Sequence, residues 1–212
     1  MNSLASLTLE VADPTAADRF YTVFGLGAHV RLRACDTPTT GFRGFALSLT
    51  VSQPSVVDGY VEAAVGAGAT VLKPAAKSFW GYGGVVRAPD GTIWKIATSQ
   101  KKDKGPAALT FDSMVLLLGA DDVSESKRFY VGRGLAVAKS FGSKYVQFEA
   151  PSDGVTLALY GRRTLAKEVG VPVDGTGSHR LVLGGGEEAF TDPDGFAWEA
   201  GDRSADRGGG GG

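Results

Sequence analysis

Cysteine is nearly absent: Cys35 is the only one in 212 residues. That excludes an internal disulfide and any zinc site built on several thiolates. An excess of one charge is missing too. The net charge is -1, which argues against DNA or RNA as the main partner, since phosphate binding leaves a basic face. The one basic cluster, KKDK at 101–104, precedes Gly105-Pro106 and reads as a solvated linker. No apolar run approaches the ~18 residues of a membrane span. The first residues lack the basic region and apolar stretch of a secretory signal. No membrane partner is therefore expected, and the expected location is the cytoplasm. Signatures of chemistry are thin as well: there is no GxSxG elbow, no phosphate loop and no Cys/His pairing. The glycine runs GLG (25–27), GYGG (81–84) and GGG (184–186) read as turns and bulges.

What the chain does have is a phrase said twice. Residues 9–26 read LEVADPTAADRFYTVFGL and residues 118–135 read LGADDVSESKRFYVGRGL. Asp13 aligns with Asp122, Phe20-Tyr21 with Phe129-Tyr130, and Gly25-Leu26 with Gly134-Leu135. Each half closes on a second shared phrase, APDGTIWKIA at 88–97 and DPDGFAWEA at 192–200. A repeat this long points to a duplicated β/α unit rather than a short-repeat solenoid.

Local patterns supply the elements. LASLTLEV (4–11) alternates as a half-buried strand does. Asp13-Pro14 and Asp122 are helix starts, and Gly25 or Gly27 ends the first helix. Pro54 opens a further helix that Gly68 ends. Strands are predicted at 28–34, 44–52, 69–73, 82–87, 92–97, 113–119, 135–139, 144–149, 155–160 and 179–183. RRTLAKEVGVPVDGTGS (162–178) reads as a polar connection, and the final quarter has no helix. The predicted organisation is one unit over 1–99, a linker at 100–108, a second unit over 109–200, and a flexible Gly-rich tail at 201–212.

A strand ending in V-x-D, a helix carrying FY, then G-L, and later a PDG turn running into W-x-[EK], resembles the vicinal oxygen chelate superfamily. Its members include glyoxalase I, bleomycin-resistance proteins and extradiol dioxygenases. FWGYGGVVRAPDGTIWKIA (79–97) is most similar to the glyoxalase/bleomycin-resistance branch. The resemblance implies an α+β fold of tandem βαβββ modules with paired curled mixed sheets enclosing a cleft, the last module lacking its helix. It also implies divalent-metal ligands at set strand positions. Those positions here are Ser6, Ala46 and Lys95 in the first half, and Val115, Leu157, His179 and Glu199 in the second. Only His179 and Glu199 are good donors, short of the three protein ligands usual for a catalytic metal. Glu149 or a dimer partner would have to supply a third.

No cofactor is therefore expected. The leading function is a metal-free, sequestering binder of a small, aromatic molecule. The residues expected at the cleft are Trp80, Tyr82, Lys95, Tyr145 and Tyr160. Trp94 and Trp198 are expected to pack against helices instead, and His29 to face solvent. One alternative is a divalent-metal lyase or dioxygenase (Zn, Ni, Mn or Fe), with His179 and Glu199 as its catalytic residues. Another is a regulatory or scaffold protein with a degenerate pocket. A monomer or a homodimer fits either reading. Lys95 and Glu199 each need a partner, because an unpaired charge in an apolar cleft is costly.

Overall fold

The computed structural model describes residues 3–27, 29–151 and 154–201. The Gly-rich tail expected after residue 200 lies, beyond Gly201, outside those residues.

The alternating opening segment forms β1 (Ser6–Val11), with Leu7, Leu9 and Val11 buried. Asp13-Pro14 then starts α1 (Pro14–Val23). The Asp13 carboxylate accepts the Ala16 N–H at 3.0 Å, and Pro14 occupies a position where a donor would go unused. The chain leaves the helix through Gly25, whose φ of 67° favours glycine. Next come β2 (Arg31–Ala34), β3 (Thr39–Gly41), β4 (Phe45–Thr50), α2 (Pro54–Gly66), β5 (Thr70–Ser78), β6 (Gly81–Arg87) and β7 (Ile93–Thr98). The second half runs through β8 (Ser113–Ala120), α3 (Val123–Gly132), β9 (Val137–Ser140), β10 (Tyr145–Phe148) and β11 (Thr156–Gly161). Asp122 caps α3 much as Asp13 caps α1, accepting the Ser124 and Glu125 N–H groups at 2.8 and 3.1 Å. The described residues close with α4 (Arg162–Val169), β12 (Gly175–Gly177), β13 (Leu181–Gly186), β14 (Phe190–Thr191) and β15 (Ala197–Ala200). α4, the β3–β12 ribbon and β14 have no counterpart among the predicted elements.

The strands form an eight-stranded sheet, ordered β5-β6-β7-β4-β8-β11-β10-β9, and a five-stranded sheet, ordered β14-β15-β13-β1-β2. The larger one contains two complete βαβββ modules. In each, the first and last strands pair in parallel (β4 with β7, β8 with β11), which requires a crossover, and α2 or α3 lies in it. The modules join through antiparallel β4 and β8. The smaller sheet holds two reduced modules. The first goes from β1 through α1 straight to a parallel β2, and the last goes from β13 to β14 and β15 without a helix. Both outer modules are therefore degenerate, and each large sheet takes strands from both halves of the chain.

The repeated phrases are two sides of one contact. In the first half, the Tyr21 hydroxyl donates to Asp90 Oδ2 of the PDG turn at 2.7 Å, and Tyr21 and Phe24 pack on Trp94. In the second, the Tyr130 hydroxyl donates to Asp192 Oδ2 at 2.5 Å, and its ring packs on Trp198. Burial, reinforced by those carboxylates, raises both tyrosine pKa values well above the ordinary one. Trp94 and Trp198 are fully buried against helices, as expected. His29 is half-buried instead, edge-on to Phe111. No helix among the described residues is long and apolar enough to cross a membrane.

Candidate functional site

The eight-stranded sheet has two faces, and alternation sorts its residues between them. Leu47, Trp94, Leu116, Leu157 and Val146 go to the main core with α1–α3. Ala46, Val85, Ile93, Leu117 and Ala158 go to the other face. That second face is the cleft, and α4 lies across its middle. Leu165, Ala166 and Val169 of α4 are buried there, beside the partly buried Tyr145 and Tyr160.

Polar contacts hold α4 to the first-half strands. Lys95 on β7 forms an ion pair with Glu168 of α4, with 29% and 30% of the two side chains exposed. Lys73 on β5 donates to the Lys167 and Glu168 carbonyls at 2.9 and 2.6 Å, satisfying acceptors that the helix end would leave free. Gly170, with φ 80°, ends the helix in the left-handed conformation. Lys95 thus meets an acidic group, as a half-buried ammonium requires. Burial, then the nearby Glu168 and Tyr145, pushes the Tyr160 phenol up to about 12.

Beside α4 the cleft stays open over β5, β6 and β7. A groove of about 430 Å³ is bordered there by Lys73, Lys77, Trp80, Lys95, Ala97 and Glu168. Gly83 shares its floor; a side chain at this position would come within 2.9 Å of the Ile96 carbonyl. Trp80 is 83% exposed, at the tip of the β5–β6 hairpin.

The structure therefore brings Trp80, Tyr82 and Lys95 to one groove and separates them from Tyr145, Tyr160, His179 and Glu199. Tyr82 borders the groove, but its hydroxyl donates to Asp58 of α2 at 2.8 Å, so its ring serves the helix face. Tyr145 and Tyr160 face each other across β10 and β11, with ring centroids 5.0 Å apart, in the half that α4 covers. Glu168, Lys73 and Lys77 were not among the expected residues.

The metal positions can be tested by register. In the eight-stranded sheet, Lys95, Ser48, Val115 and Thr156 lie side by side. Leu157 faces the helix core rather than the cleft. In the five-stranded sheet, Ser6, Gly184 and Glu199 lie side by side. Glu199 pairs with Arg33 at 2.7 Å, and Arg33 also holds Glu10 at 2.9 Å. His179 stacks on Phe196 with centroids 4.1 Å apart, and its Nδ1 lies 2.6 Å from the Arg43 carbonyl oxygen. His179 precedes β13, whose Gly184 is the register neighbour of Glu199, and the two side chains engage different partners, the Arg43 carbonyl and Arg33. Among the described residues no three His, Cys, Asp or Glu side chains converge, so the donor set does not fit a catalytic divalent metal.

No protein-family model matches the sequence, and no curated protein matches it. Solved structures do. Glyoxalase I from Zea mays superposes with a TM-score of 0.57 at 14% identity, over 93% of this chain and 91% of its own. A presumptive dioxygenase from Bacillus subtilis superposes at 0.55 and 10% identity, over 93% and 84%. The chain has the vicinal oxygen chelate fold in its tandem form.

Proposed function

We propose that this chain, on a glyoxalase I-like scaffold, is a metal-free binder of small aromatic anions. The ligand would lie in the groove over β5, β6 and β7. The observation that carries the reading is the groove itself: about 430 Å³, with Trp80 at its mouth and Lys73, Lys77 and Lys95 along its wall. A ring stacks on the indole, and an acidic group reaches an ammonium. Of the three ammonium groups, only Lys95 has a carboxylate partner among the described residues. The poor donor set at the family's metal positions supports binding over lyase or dioxygenase chemistry.

The test uses the protein's own fluorescence. Trp94 and Trp198 are buried and Trp80 is exposed, so long-wavelength emission reports Trp80. Titration with 1-naphthoate and related aromatic carboxylates and phenolates should change that emission saturably. Lys77→Met should weaken binding by roughly 1.5–3 kcal/mol if its ammonium meets the acid. Absence of saturation across such a panel would count against a ligand groove. It would favour the second reading, a regulatory or scaffold protein, for which the burial of α4 in the cleft is the supporting observation.

A further inference from the structure

A second cavity, sharing no lining residue with the Trp80 groove, lies between the first turn of α1 and the Pro89-Asp90 turn. It has a volume of about 220 Å³ and is lined by two arginines, Arg43 and Arg180, neither of which forms an ion pair with a carboxylate among the described residues. Arg180 is 8% exposed. Its Nη1 donates to the Cys35 carbonyl, and its buried Nε has no partner among the described residues. Arg43 donates from Nη2 to the main-chain oxygen of Asp90 at 2.7 Å. Carbonyl dipoles are a weak answer to two charges withdrawn from water. Burial lowers the Arg43 pKa below the ordinary guanidinium value; Asp90 opposes that shift and Arg180 adds to it.

Arg180 is also the one non-glycine residue among those described with a positive φ, 56°. Such strain persists where the surroundings over-determine it, and it clusters at binding sites. The carboxylates on the cavity wall are engaged elsewhere. Glu10 pairs with Arg33 at 2.9 Å, and Asp13 caps the Ala16 N–H at 3.0 Å. Asp90 turns inward, to the Tyr21 hydroxyl at 2.7 Å and the Thr92 N–H at 2.8 Å.

We propose that this cavity is a binding site for a small oxyanion, a phosphate or carboxylate group, held between the guanidiniums of Arg43 and Arg180 at the start of α1. Planar guanidiniums match the oxygens of both groups, and the amino end of the helix adds favourable potential. The volume suits a free anion or the acidic end of a larger molecule, below the range of whole-metabolite pockets.

Calorimetry and thermal unfolding of the full chain, at constant ionic strength in chloride, test this with inorganic phosphate, glycerol phosphate and acetate. At least one should bind saturably at one per chain and raise the unfolding midpoint. Inorganic phosphate binding assigns a free anion; glycerol phosphate binding alone assigns the end of a larger molecule. Arg43→Gln should weaken the response about tenfold or more. Arg180→Gly removes the guanidinium while relieving the backbone, and should lose the response yet still unfold cooperatively. The proposal is overturned if none of the three anions saturates, or if the response survives unchanged in Arg43→Gln.

Discussion

The two complete modules share one backbone plan and put the same face toward the cleft, yet one is covered and the other open. Over β8–β11 the face carries Leu117, Ala158, Tyr145 and Tyr160, and α4 buries its apolar stripe against them. Over β4–β7 it carries Ala46, Val85 and Ile93, buried in the same cluster as α4, and then Gly83, Lys95 and Ala97 along the groove, while Lys73 and Lys95 reach sideways to the end of α4. Side-chain chemistry accounts for the division of labour. Apolar surface accepts a helix, while small residues and ammonium groups leave an open groove beside it.

The largest expected effect comes from weakening the covered half. Leu165 is fully buried, so Leu165→Ala should cost about 2–5 kcal/mol in urea denaturation. A loss well below 1 kcal/mol would mean that α4 contributes little to closing that half.

Alkaline pH probes the same half. An unfolded tyrosine titrates near 10, and Tyr160 in the fold is pushed up to about 12. The folded state then holds the proton more tightly. The stabilisation is complete below pH 10 and is lost as pH rises toward 12. Tyr21 and Tyr130, raised by burial, act in the same direction. Urea midpoints should be flat near pH 8–9 and fall above 10, and Tyr160→Phe should soften the fall. An equally steep fall in Tyr160→Phe would place the effect on the other raised tyrosines, Tyr21 and Tyr130 foremost.

The seam between the halves should matter less. The Lys95–Glu168 pair is partly exposed and screened, so Lys95→Met should cost about 1 kcal/mol. Adding Glu168→Leu should recover most of it, because the unpaired carboxylate then disappears. If the double variant is less stable than the single, the pair is not the seam. Smallest of all is Trp80→Ala, exposed at a hairpin tip, which should change stability by no more than ~0.5 kcal/mol. A larger loss would make Trp80 structural rather than free for a ligand.

Much of the scaffold is legible in the sequence. Asp13 and Asp122 announce α1 and α3, and strict alternation announces β1, because caps and periodicity are local. α4 was legible in part. Leu165, Ala166 and Val169 have helical spacing, and Gly170 marks the stop. Polar neighbours and the lack of a side-chain cap at Gly161 disguise it as a connection. The site was harder. Tyr82 and Trp80 are neighbours but one to Asp58 and the other to solvent, since a hairpin tip breaks alternation. Glu168 meets Lys95 across 73 positions, Arg33 rather than His179 takes Glu199, and Arg43 meets Arg180 only through tertiary packing. Long-range pairing of charges leaves no local signal.

The division between an open and a covered half is most directly tested by amide hydrogen exchange with and without saturating 1-naphthoate. Slowed exchange confined to residues 70–87, with 162–169 equally protected in both samples, is the expected result. Faster exchange in 162–169 on binding, with 70–87 unchanged, would place the ligand under α4 and contradict the assignment of the open half as the binding site.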